Sequence, residues 1–130
     1  MSQANVELVR TIYDHFRAGD NEGALALHDP EVEVHDRPEI PDPQVYRGHA
    51  GVLQSLGVSQ ATFEGLDLVP EEFIDAGDRV IVVFRFQGKG RESGVPIDER
   101  LAHVWTIRNG KAIRMEVHSG REQALRAAGV

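Results

Sequence analysis

The dipeptide Asn109-Gly110 constrains this chain more than any other feature, because alternating runs flank it on both sides (ERLAHVWTIR and KAIRMEVH). Asn-Gly between such runs specifies a two-residue hairpin turn, since both central positions must accept positive φ. If Arg108 and Lys111 close the loop, a regular ladder puts His103 opposite Glu116, Leu101 opposite His118 and Trp105 opposite Arg114. Directly opposed residues have Cβ atoms roughly 4.5–5.5 Å apart, so His103 and Glu116 are expected to touch, with His118 on the diagonal. An imidazole, a carboxylate and a second imidazole beside a tryptophan mark either a wet surface or a functional pocket.

The remaining pattern reads helices first and strands later. Val9, Ile12, Tyr13 and Phe16 form one apolar stripe of a first helix. Gly19 suits its C′ position, and Asp20 suits the N-cap of a second helix over Glu22–Leu27. A short strand over Val32–Asp36 runs into the irregular, proline-rich RPEIPDPQ, and Gly48–Gly57 reads as a third helix. A strand over Phe63–Ile74 should bulge near Gly65 and Pro70, and after the turn at Asp75–Asp78 comes the strand Arg79–Gln87. Ser119 and Glu122 have capping-box spacing for a last short helix. This order implies an α+β fold: helices covering one face of a curved antiparallel sheet, in a single domain spanning residues 1–130.

Neither face of the hairpin is fully polar. One carries Leu101, His103, Trp105, Ile107, Ala112, Arg114, Glu116 and His118; the other carries Ala102, Val104, Ile113, Met115 and Val117. The favoured reading puts the mixed face under the helices, lining a pocket, and the aliphatic face against a second subunit, which makes the chain a homodimer.

The chemistry available is narrow. With no cysteine there is no thiolate nucleophile or thiolate metal site. No HExxH motif and no histidine pair at helical i, i+4 spacing is present, so neither a metal nor another cofactor is expected. A formal charge of −7 and the lack of a basic stripe argue against nucleic acid. No apolar run approaches ~18 residues, which argues against a membrane and for a cytoplasmic location. Of the histidines, His15 and His28 sit near helix ends beside acidic residues and read as solvated surface. His35-Asp36 ends a strand where one side chain can point into a sheet mouth, and His49 follows Tyr46-Arg47-Gly48 at a helix start. What remains is general acid/base work by histidine and carboxylate, suited to proton transfer on a carbonyl compound.

The segments VRTIYDHFRAGD, HDPEVEVHD, VYRGHAGV, EEFIDAGDRVIVVF and AHVWTIRNGKAIRMEVH, in this order, resemble the SnoaL-like branch of the nuclear-transport-factor-2-like superfamily. That resemblance implies a cone: a strongly curved sheet around helices, with a pocket at its open end, commonly as a homodimer. The superfamily hosts cyclases, isomerases, hydratases, epoxide hydrolases and binders that catalyse nothing. By resemblance to ketosteroid isomerases, Asp36 stands where a carboxylate base ends the early strand, Tyr13 near an oxyanion-donating tyrosine and His103 near an acid of the penultimate strand. By resemblance to polyketide cyclases, His103 matches a penultimate-strand histidine, while His118 occupies roughly the place of a catalytic aspartate, with Glu116 close by.

The leading expectation is a cofactor-independent isomerase, cyclase or lyase acting on an apolar carbonyl compound. Asp36 would be the base, His103 the carbonyl partner oriented by Glu116, and His118 a second acid/base group. Tyr13, Phe16, His35, Tyr46, His49, Phe84, Phe86 and Trp105 would bind the small hydrophobic substrate. The alternative is a non-catalytic binding or dimeric interaction domain of the same fold.

Overall fold

The apolar stripe of the first helix decides how the chain begins to close. In the computed structural model, which describes residues 2–130, α1 (Gln3–Arg17) buries Val6, Val9, Ile12 and Tyr13. The Ser2 hydroxyl caps it by accepting from Asn5 N–H, and the Asn5 side-chain amide donates to the Gly77 carbonyl, tying the helix to a distant strand turn. Gly19 takes φ +77° just beyond the helix, and Asp20 caps α2 (Asn21–Leu25) by accepting from Gly23 N–H, both as the sequence implies.

Strands β1 (His28–His35), β2 (Val45–Arg47), β3 (Phe63–Ala76), β4 (Arg79–Gly90), β5 (Pro96–Arg108) and β6 (Lys111–His118) form one sheet in the order β2-β1-β6-β5-β4-β3. All neighbours are antiparallel except β1 and β6, so the sheet is mixed. β3 carries register shifts at Glu64/Asp67 and Pro70/Glu72, where Gly65 and Pro70 foretold them. Between β2 and β3 lies α3 (Gly48–Thr62). A Cβ added at Gly51 would sit 2.7 Å from the Tyr46 carbonyl carbon, so only glycine lets α3 pack this closely on β2.

The helices divide between the two faces. α1 and α3 lie on the concave face, over a core containing Val80, Val82, Trp105, Ile107 and Ala112 on one side and Val32, Val34 and Val52 on the other. α4 (Arg121–Ala127) packs Ala124 and Leu125, with Ala128 just beyond it, against Ile81, Ala102 and Val104 on the convex face. Part of the aliphatic face assigned to a second subunit is thus covered by the chain's own last helix. The expected capping box does not form: Gly120 is the N-cap, and the Ser119 hydroxyl donates to Glu39 instead. No helix among the described residues is long and apolar enough to cross a membrane.

The hairpin corrects the regular register. Asn109 and Gly110 take φ +53° and +71° as the turn demands, and Arg108 pairs with Lys111 and Ile107 with Ala112. The ladder then skips Ile113, so Thr106 pairs with Arg114, Trp105 with Met115, Val104 with Glu116 and His103 with Val117. One extra residue reverses the facing of everything after it. Ala112 N–H leaves the β5 ladder and donates to the Leu27 carbonyl, and the pairing of β1 with β6 is irregular at the same level, where Pro30 offers no N–H. Met115 and Val117 consequently face the concave side, whereas Arg114, Glu116 and His118 face the convex side.

Candidate functional site

The concave face holds two adjoining hollows. The inner one, about 420 Å³, lies between Tyr13 and Phe16 of α1, Val52 and Leu56 of α3, and His28, Val34, Trp105 and Met115 of the sheet. The outer one, about 520 Å³, opens toward the proline-rich loop and is lined by Asp36, Tyr46, Phe84, Leu101 and Val117 among others. His103, Leu68, Phe86, Met115 and the Ser55-Leu56 turn of α3 line both.

His103 stands where the hollows meet, and a chain of hydrogen bonds fixes its state. Trp105 Nε1–H can only donate, and it reaches Tyr13 Oη at 2.9 Å. Tyr13 Oη lies 2.5 Å from His103 Nδ1. Having accepted from the indole, and with no other acceptor among the described residues, the phenol O–H donates to Nδ1. The imidazole proton therefore sits on Nε2. Burial pushes the His103 pKa down to about 3, with the charge of His118 adding to the effect, so the ring is neutral near pH 7. Burial also holds the Tyr13 phenol far above its ordinary range, although the indole's hydrogen bond works against this. Among the described residues, Arg79 Nε is the sole side-chain polar atom both sealed and unpartnered. The free Nε2–H of His103 is therefore open to the cavity, in a wall built with Phe84 at 4.2 Å between ring centroids. A neutral, immobile N–H donor aimed into an apolar space is suited to hold a carbonyl oxygen.

Asp36 directly follows β1, at the neck of the proline-rich loop. Its Oδ2 accepts from Gln44 N–H at 3.0 Å while its own N–H donates to the Gln44 carbonyl, and its side chain lines the outer hollow. Tyr46, Phe84 and Phe86 line that hollow, and Tyr13, Phe16 and Trp105 the inner one.

Four residues expected at the site lie elsewhere. The bulge at Ile113 carries Glu116 and His118 to the convex face, where they bond each other at 3.2 Å and Arg114 Nε also lies 3.2 Å from Glu116. Glu116 therefore does not orient His103; Tyr13 does. His35 pairs with Glu116 across the parallel ladder and shares that face, its Nε2 2.9 Å from Glu33. His49 donates from Nε2 to the His28 carbonyl at 2.9 Å. Among the described residues no group of three His, Asp or Glu side chains is arranged to hold a metal ion.

His28 is the residue that sequence reasoning missed. It is 2% exposed, not solvated, because the parallel pairing of β1 with β6 draws it beneath Phe16 and Trp105. The one local hint was the apolar context of ALALH just before Asp29.

Residues 9–115 match the family model described as the SnoaL-like domain. No curated protein matches the chain. Among solved structures, an NTF2-like protein of unknown function from Burkholderia pseudomallei K96243 is 26% identical, with 100% of both chains covered and a TM-score of 0.78. TerC, co-crystallised with polyporic acid, is 31% identical over 97% of this chain and 98% of its own, with a TM-score of 0.78. A Jannaschia sp. CCS1 protein provisionally named a SnoaL-like polyketide cyclase is 21% identical over 98% and 94%, also at 0.78, and shows the fold alone.

Proposed function

The chain belongs to the SnoaL-like family, and from that premise we propose that it is a cofactor-independent enzyme acting by acid/base chemistry on an apolar carbonyl compound. The observation that carries this reading is the chain Trp105–Tyr13–His103, which ends in a neutral Nε2–H donor inside an apolar cavity. In this reading Asp36 takes a proton from the carbon next to the substrate carbonyl. The electron pair moves onto oxygen, and the developing enolate is held by His103 Nε2–H. Asp36 then returns the proton to a different carbon, or the enolate carbon adds to a second carbonyl of the same molecule. In the second case that carbonyl's π electrons move onto its oxygen, and the alkoxide takes the proton back from Asp36. TerC, co-crystallised with polyporic acid, supports a small organic ligand for this fold.

The test is hydrogen–deuterium exchange at the α-carbons of 2-tetralone, followed by NMR. The wild-type chain should accelerate exchange, and His103→Phe and Asp36→Asn should each lower the acceleration by ~10²-fold or more. Background exchange in a wild-type sample that binds the ketone overturns the enzyme reading in favour of a binding module.

Homodimer formation belongs to the same proposal. Beyond α4 the convex face carries a hollow of about 680 Å³ bordered by Asp29, Glu31, Glu33 and Glu116 together with Arg79, Arg108 and Arg114. Both charge signs on one patch favour a self-complementary, two-fold contact. Sedimentation should give twice the 14.4 kDa chain mass, reduced toward the monomer by Arg114→Glu; a monomer in the wild type rejects the pairing.

A further inference from the structure

We propose that His28 is a second recognition residue of the inner hollow, accepting a hydrogen bond from a ligand hydroxyl while His103 donates to the ligand carbonyl, so that the compound taken is an apolar hydroxy-carbonyl molecule. This rests on the reading of the cavity as a carbonyl site and narrows its substrate class.

The two imidazoles present opposite polarity. His28 Nδ1 lies 2.7 Å from the Ala24 carbonyl oxygen, which can only accept, so Nδ1 carries the proton and Nε2 keeps its lone pair. His103 is held the other way round, with Nδ1 accepting from Tyr13 and Nε2 carrying the proton. Both residues line the inner hollow, and their ring centroids stand 5.7 Å and 6.1 Å from that of Trp105. The His28 ring is wedged at its edges against Phe16 and Trp105, which fixes its plane.

Nothing in the protein uses the lone pair. Among the described residues His28 Nε2 has no hydrogen-bond partner, yet it is not sealed, because Arg79 Nε is the sole side-chain polar atom in that condition. In a residue 2% exposed that lines the hollow, the open surface is the hollow itself. A histidine kept only for packing would have both nitrogens satisfied or one in bulk water. The ring is also neutral near pH 7: burial lowers its pKa, the Ala24 hydrogen bond partly opposes this, and the charge of His49 adds to the lowering. A neutral acceptor selects a hydroxyl hydrogen and has no attraction for a carboxylate.

Calorimetric titration with benzophenone, its 3- and 4-hydroxy derivatives, 4-methoxybenzophenone and diphenylmethane tests this. At least one hydroxy isomer should bind the wild type about fivefold tighter than benzophenone, and the methoxy compound, which cannot donate, should show no gain. His28→Phe should remove the hydroxyl gain, read as the ratio of hydroxy-compound to benzophenone affinity within that variant. His28→Gln, whose amide can donate to Ala24 and accept from the ligand, should retain it. A readout without substitution is the ¹⁵N resonance of His28 Nε2, which should move on binding the hydroxy compound and stay fixed with the methoxy compound. Absence of any hydroxyl gain, or of that ¹⁵N shift, or a gain that survives His28→Phe, overturns the role of His28. The carbonyl reading still stands in those cases if benzophenone outbinds diphenylmethane and His103→Phe cancels the difference. Equal affinity for benzophenone and diphenylmethane defeats the carbonyl reading and this inference together.

Discussion

Tyr13→Phe, which removes a single oxygen atom, is expected to destabilise the fold by about 3 kcal/mol. That oxygen accepts from Trp105 Nε1–H and donates to His103 Nδ1, and Tyr13, His103 and Trp105 are all buried. Without it two buried polar groups lose their partners at once, and each orphaned group costs roughly 1–3 kcal/mol. Urea unfolding of the single variants and of Tyr13→Phe/Trp105→Phe measures the effect. The double variant should lose clearly less than the sum of the singles, because once the oxygen is gone the indole N–H has no partner left to lose. A loss under about 0.5 kcal/mol in Tyr13→Phe would show that the chain of hydrogen bonds does not hold the cavity wall. The same substitution leaves the His103 proton free to settle on either nitrogen, so the donor facing the cavity is no longer guaranteed.

Acidification from pH 6.5 to pH 4.5 is expected to destabilise the wild type by at least about 2 kcal/mol, because a histidine whose folded pKa lies below this interval loses up to about 1.4 kcal/mol for each pH unit below 6.5. The direction follows from His103, whose folded pKa is lowered from 6.5 to about 3. The folded chain keeps the ring neutral through this interval, while the unfolded chain takes up a proton below 6.5. Stability is therefore full above pH 6.5 and is lost as the pH falls toward 3. His28, lowered by the same burial, acts in the same direction. The carboxylates held below their ordinary range, Asp75 by the Ser2 and Gly77 amides, Asp98 by Arg85 and Glu33 by His35 and then Arg47, release stability at lower pH still. The interval above pH 4.5 thus isolates the histidines. His103→Phe should remove about 2 kcal/mol of that loss; a wild-type profile already flat between pH 6.5 and 4.5 would contradict the neutral, buried imidazole.

Local chemistry made most of the fold legible. The α1 stripe, the Gly19 and Asp20 caps, the β3 irregularities at Gly65 and Pro70 and the Asn109-Gly110 turn each follow from nearby residues. The register of the last hairpin was legible only as far as Ala112. A turn dictates pairing up to the first bulge, and the bulge answers to β1, which arrives from more than seventy residues away. A trace of it was present in the two mixed faces of a regular ladder: moving Met115 and Val117 by one position gathers them with Leu101, Trp105, Ile107 and Ala112. His103 was legible from its Trp105 neighbour and Asp36 from its place at a strand end. The partnership of Tyr13 with His103, 90 positions apart, and the burial of His28 depend on long-range pairing, and no local pattern encodes them.

The bulge at Ile113 also makes the hairpin tip tolerant of changes in length. Because Ile113 has no partner in β5, removing it would straighten the ladder while leaving Thr106 with Arg114, Trp105 with Met115 and His103 with Val117. A residue lost near the tip can be compensated by the same straightening. The outer end of the hairpin can therefore vary while the wall facing the cavity keeps its phase.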